Sequence, residues 1–406
     1  MTSSQTPELP VFDADFATNP HVRYAEMRMN APVQRIRTLS GLPLWVITRY
    51  SDARQVLADP RFAKDFQRTG ELIEAKLPAE ADPRGFDTDL GAHMLNLDPP
   101  DHTRLRKLVV KAFTARRVEA LRPRIEEITA ELLDAMAAKP ESDLIEDFAF
   151  PLPIKVITEL LGVDESRRDE FREWSNILVD SSDQQEVRDA SMQMVGYLTE
   201  LLAAKRTRPA DDLLTALIEA EDDHDRLSES ELIAMVFLLL VAGHETTVNL
   251  IGNCVLSLLT HPAQLAALRS DFDLVEGAIE ETLRFESPVM QATFRHTTEA
   301  VTVGDVEIPA GEVVWVVLGS GNRDGERFQE PDAFDIRRPT AGHLAFGHGI
   351  HFCLGAPLAR IEGQIAVRRL LERFPDLALA APADELRWRV SNLMRGLEEL
   401  PVRTGV

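Results

Sequence analysis

One cysteine, Cys353, sits in the stretch "FGHGIHFCLGAPLAR" (Phe346 to Arg360), and its surroundings suit a working thiolate. Cys254 is the only other cysteine in 406 residues, which argues against a disulfide framework. Gly347 and Gly349 permit backbone conformations closed to other residues, so the loop can turn sharply and let a flat ligand approach. Behind the cysteine, Gly355-Ala356-Pro357 opens a helical run, with proline where a first turn tolerates it. Cys353 is therefore expected at a helix N-terminus, where free N–H groups and the dipole favour a thiolate and lower its pKa. A nucleophile or a soft metal ligand would fit. Zinc is disfavoured, since no second cysteine is near, although His343, His348 and His351 are. A Cys-His protease site would need a downstream histidine, and none follows His351.

Three other groupings carry chemistry-bearing side chains. "AGHETT" (Ala242 to Thr247) places Glu245 and Thr246 in the middle of an apolar helical run, where Gly and Thr are poor choices for packing alone. Glu281 and Arg284 in "EETLR" lie on one helix face. Between His102 and Arg124 eight arginines and lysines face the single acid Glu119, a basic island that is either a solvated face or a docking site for an acidic protein. Cys254, on an apolar face, reads as packing.

The elements that must position these groups are mostly helices. Ser228 with Glu231 forms a capping-box pattern and His261-Pro262 a stop, so one helix is expected over about Ser228 to Thr260, roughly 48 Å long. Leu105, Leu108, Val109 and Ala112 mark a helix face, as do Val275, Ala278, Ile279, Thr282 and Leu283. Strand-like runs are Leu44–Thr48, Ala300–Val303 and Val313–Leu318, the last two joined by "GDVEIPAG" as a hairpin connection. The fold class is mainly α with a minor β-sheet (α+β). Without repeats or linkers, residues 1–406 are read as one domain.

Composition narrows the function. A net charge of −23, from 44 basic and 67 acidic residues, argues against nucleic acid. The N-terminus lacks a basic n-region and apolar h-region, so a cytoplasmic location is expected. The strongest apolar run, Leu232 to Gly243, is 12 residues and reads as a buried helix, not a membrane anchor.

A lone thiolate can be the axial ligand of haem iron. On these residues the chain resembles the soluble bacterial cytochrome P-450 monooxygenases, with "FGHGIHFCLG" similar to their haem-binding loop and "AGHETT" to the oxygen-activating kink of their central helix. The resemblance covers nearly the whole chain and implies a triangular helical domain around a buried haem b (iron protoporphyrin IX). It implies Cys353 as the metal ligand, Phe346, Gly347, Gly355 and Ala242 against the haem, and Glu245 and Thr246 as a proton-delivering pair in a helix opened at Ala242-Gly243. "HTRLR" resembles the propionate site, so His102, Arg106, Arg295 and His351 are expected on the propionates. Glu281 and Arg284, with Arg338 from "PDAFDIRR", are implied as a structural brace. Asp101 stands where Glu is usual, and Thr297 and Ala300 replace the common Ala and Asp.

The resemblance also implies a substrate pocket from the variable segment Phe66–Leu97 (Met94, Leu95), from Leu239 and Ala242, from Val289–Thr293 (Val289, Met290, Ala292), and from Leu393 and Met394. The expected reaction is hydroxylation or epoxidation of a hydrophobic small molecule, such as a macrolide, steroid or terpenoid, with O2 and two electrons. A non-enzymatic haem carrier or sensor and a peroxide-driven peroxygenase are the alternatives; the Glu245-Thr246 pair favours the monooxygenase. No flavin or nicotinamide fingerprint and no iron–sulfur cluster is present. Electrons are thus expected from an acidic ferredoxin and its reductase, docking on Arg104 to Arg124 with help from Arg360.

Overall fold

The computed structural model describes residues 9–13, 16, 18–38, 40–78, 88–163, 167–180, 184–222 and 225–405. Part of the variable segment, 79–87, lies outside them.

The central helix spans Glu229–Thr260, 32 residues, and starts as the sequence dictates. Ser228 caps it, with both halves of the Ser228–Glu231 capping box formed. By length and composition it could cross a membrane, yet most of its apolar stretch is buried in the protein. It packs against Pro151–Leu161, Val275–Phe285 and Ala356–Arg373. At Gly363 an added Cβ would lie 3.1 Å from Ile279 and 3.3 Å from Leu250, so glycine sets the close approach of the last of these helices. The main apolar core surrounds this bundle.

The basic island divides into Asp101–Ala112, Ala115–Ala120 and Arg122–Ala137. Leu105, Leu108, Val109 and Ala112 are all buried, as their spacing predicts. The five residues marking the face of Val275–Phe285 are buried too.

The largest sheet has five strands in the order Val33–Arg37, Pro43–Ile47, Val313–Val316, Arg295–Thr297, Phe62–Ala63. All its pairings are antiparallel except the parallel one between Pro43–Ile47 and Val313–Val316. One expectation is corrected. Val306–Ile308, inside the presumed connection, is itself a strand that closes a two-stranded hairpin on Val301–Val303. Gly304 turns it at φ +57°, so Val313–Val316 is released to join the five-stranded sheet.

Candidate active site

The cysteine loop, the central helix and the five-stranded sheet meet at a cavity of about 440 Å³. Phe346, Gly347, Cys353 and Gly355 line it from the loop side. Gly347 and Gly349 have φ +72° and +76°, and a Cβ on Gly349 would sit 2.7 Å from the Leu57 carbonyl. The loop therefore needs glycine for both conformation and space. The Cys353 N–H donates to the Phe346 carbonyl at 2.9 Å, and the helix Ala356–Arg373 begins three residues on.

Burial pushes the Cys353 thiol up, opposed by the N–H groups of Gly355 and Ala356 and by the charges of Arg106 and Arg360. The net direction is upward, which corrects the lowering expected from a helix N-terminus. Crowding by the loop outweighs these neighbours, although Cys353 itself is exposed towards the cavity. A metal ion bound to the sulfur would supply the missing stabilisation.

Beside the loop, His102, Arg106 and Arg295 converge with the loop's own His351 on the same cavity. The two imidazoles lie 4.3 Å apart. Both nitrogens of His102, Nε2 of His351 and Nε of Arg295 are buried without a hydrogen-bond partner. Arg106 donates to the Phe352 carbonyl at 2.7 Å and Arg295 to the Phe62 carbonyl at 2.9 Å. Burial, then Lys64, Arg295, His102 and Arg106, hold His351 down to about 2; burial lowers Arg295 to about 10. Glu362 is the single acid among the described lining residues, and burial pushes its carboxyl up to about 8, so it offers little charge to balance them. These unpartnered buried nitrogens beside two guanidinium groups fit a ligand that carries carboxylates, and beside a lone thiolate they fit haem.

The other wall is mostly apolar and is built from the short turn Met94–Asn96, the central helix and the chain's later loops. Met94, Leu95, Leu239, Ala242, Val289, Ala292, Leu393 and Met394 line it. Met290 does not. The extended backbone alternates faces, so Met290 turns into the core beside Trp315 and against Gly319. Thr246 lines the cavity, and its hydroxyl donates to the Ala242 carbonyl at 2.9 Å. The central helix is continuous through 242–246, not opened at Ala242-Gly243 as expected; small side chains make the room there. Glu245 is buried off the cavity wall, with its carboxylate 2.9 Å from the Arg389 guanidinium.

A cytochrome P450 family profile matches residues 154–378. The chain is 69% identical to cytochrome P450 107B1 of Saccharopolyspora erythraea over the whole of both chains. The chain belongs to the cytochrome P450 family. It is 51% identical to the cytochrome P450 monooxygenase PikC of Streptomyces venezuelae, covering 98% of this chain and 94% of that one. The tirandamycin C-bound P450 monooxygenase TamI superposes with a TM-score of 0.90 at 49% identity, covering 97% of this chain and 100% of the other. This P450 is a haem-iron monooxygenase acting on a small molecule with O2 and a redox partner.

In this P450 Glu281 and Arg284 are fully buried and joined by two hydrogen bonds of 2.8 Å. Arg338 donates to the same carboxylate at 3.2 Å. Arg284 also donates to the carbonyls of Asn322, Pro331 and Ala333, and the Asn322 side chain accepts from the Leu344 N–H just ahead of the cysteine loop. A second tie, from Glu280 to Arg360 and His343, was not foreseen. Arg360 also lies over the Phe346 ring, 4.5 Å from its centroid. It is thus engaged internally, while its side chain stays partly exposed.

At least half of the basic island's cations pair with acids, some one helical turn away and others brought near only by the fold. Arg104 pairs with Glu231 and Asp225, Arg117 with Asp211, Arg122 with Glu119, and Arg124 with Glu127, Glu131 and Glu159. Lys107, Lys111 and Arg116 stay exposed. Lys64 and Glu362 line the cavity without any forewarning, since neither falls in a recognisable spacing, and His93 does so from within the expected segment Phe66–Leu97. Burial, then the charge of Lys64, brings His93 down to about 4, so it is neutral near pH 7.

Proposed function

We propose that this P450 hydroxylates or epoxidises a macrolide or related polyketide, holding haem b through Cys353 Sγ. His102, Arg106, Arg295 and His351 would hold the propionates, and Phe346, Gly347, Gly355 and Ala242 would pack against the ring. When bound, haem supplies the iron centre at which dioxygen is activated. The observation that carries the reading is that Cys353, the unpartnered buried nitrogens of His102, His351 and Arg295, and the Thr246 hydroxyl share one cavity whose remaining wall is mostly apolar. Thr246 would hold a proton at Oγ1 beside the bound molecules. Glu245, held by Arg389, would feed that position after a side-chain rotation. Glu281, Arg284 and Arg338 would brace the cysteine loop.

The substrate class is supported by relatives whose names are PikC, 6-deoxyerythronolide B hydroxylase of Saccharopolyspora erythraea at 47% identity, and mycinamicin IV hydroxylase/epoxidase of Micromonospora griseorubida at 41%. An apolar wall suits such ligands, which need few orienting hydrogen bonds. A cytoplasmic, single-domain protein reduced by an acidic ferredoxin completes the reading, with Lys107, Lys111 and Arg116 as the docking cations. The test is titration of the ferric protein with macrolactones, linear polyketides, steroids and fatty acids. A low-spin to high-spin shift of the haem band with the first two classes is expected. A shift with steroids or fatty acids alone overturns the substrate class.

A further inference from the structure

Lys64 follows the strand Phe62–Ala63, whose antiparallel pairing with Arg295–Thr297 carries the side chain inward. It is 4% exposed and lines the cavity. Its Nζ donates to Thr293 Oγ1 at 2.5 Å, and among the described residues no carboxylate forms an ion pair with it. Asp98 is the acid whose field it feels, but the Asp98 Oδ2 accepts the backbone N–H groups of Lys64 and Asp65, at 2.7 and 2.9 Å. The neighbouring charge is Arg295, and the field of Lys64 in turn reaches His93, His102 and His351.

A buried ammonium without a counter-ion is costly, and lysines are rarely found fully buried unless paired. Burial and Arg295 accordingly hold Lys64 well below the usual lysine range. The Thr293 hydroxyl takes one of its three N–H bonds, which leaves donors for a group that the protein does not provide.

We propose that Lys64 is a carboxylate-binding residue of the cavity, forming an ion pair with an acid group that a ligand carries in. This rests on the haem reading above and extends it. Two sources share the chemistry: a haem propionate, or the carboxylate of a substrate such as a fatty acid.

The experiment compares haem-loaded, full-length wild type with Lys64→Met and Lys64→Arg. Haem transfer to apomyoglobin reports the hold on haem. Spin-state titrations with myristate and with 1-tetradecanol report the hold on a substrate acid. Haem loss about tenfold faster in Lys64→Met, and near wild type in Lys64→Arg, assigns the partner as a propionate. Unchanged haem loss, with myristate bound about tenfold more weakly and the alcohol bound as before, assigns a substrate carboxylate. Haem loss and both affinities equal to wild type overturn the inference. Should Lys64→Met not accumulate as folded holoprotein, Lys64→Gln is measured in the same way, and equality with wild type overturns it equally. A wild type without a haem band removes the underlying haem reading, and this inference with it; a haem-loaded but unaffected variant removes the inference alone.

Discussion

The Thr246 hydroxyl combines two placements: it donates to the Ala242 carbonyl at 2.9 Å and it borders the cavity. A back-bonded threonine in a helix is commonplace, and the hydrogen bond alone would mark nothing. Its position beside the cysteine loop gives it a task, because proton delivery needs a hydroxyl within reach of the reacting molecules. Thr246→Ala is expected to leave the substrate-induced spin shift intact while lowering product formed per electron pair by about tenfold or more. Product, peroxide and reductant consumed, measured together, check this. Unchanged coupling would place proton delivery elsewhere. Arg389 shows the same dependence on context: its ion pair fixes where the Glu245 carboxylate rests, and it comes from a distant loop.

At the level of elements, one buried and one half-buried carboxylate tie the helix Val275–Phe285 to the cysteine loop and to the helix after it. Glu281 is fully buried against Arg284 and Arg338, and removing one partner of a buried pair leaves an uncompensated charge. Arg284→Ala should therefore cost roughly 3–5 kcal/mol, read by denaturant unfolding, and reduce haem retention. Glu280 gives a pH signature. Burial alone would raise it, but hydrogen bonds from His343 and Arg360 outweigh that and hold it at about 2, against an ordinary 4.5. A depressed carboxylate pKa stabilises the fold above the unfolded value, and the gain is lost as pH falls through the folded one. Up to about 3 kcal/mol should thus disappear between pH 4.5 and 2. Unfolding free energy measured down that range should fall less steeply in Glu280→Gln; parallel curves would show the tie to be energetically silent.

On the scale of the whole molecule, a net charge of −23 surrounds a face where Lys107, Lys111 and Arg116 remain exposed. Electrostatic steering acts on rate more than on affinity and is screened by salt. Lys107→Glu with Arg116→Glu is expected to slow reduction by ferredoxin about tenfold at low ionic strength, with the gap closing as salt rises. Substrate affinity should not move. Stopped-flow reduction rates over a salt series check it, and equal rates at low salt would exclude this face.

Local spacing determined much of this protein from sequence. The capping box set the start of the central helix, periodic leucines and valines set the buried faces, and Gly347, Gly349, Cys353 and Pro357 announced a tight loop feeding a helix. Those signals need only neighbours along the chain, because helix caps, faces and glycine conformations are local physics. Tertiary structure decided what depended on distant partners and on exclusion of water. It turned Met290 into the core, paired Glu245 with Arg389, paired Arg104, Arg117 and Arg124 of the basic island with distant acids, raised the Cys353 thiol where a helix terminus alone would lower it, and buried Lys64 among other cations. Desolvation and long-range charge are properties of a packed environment, and no spacing along the chain encodes them.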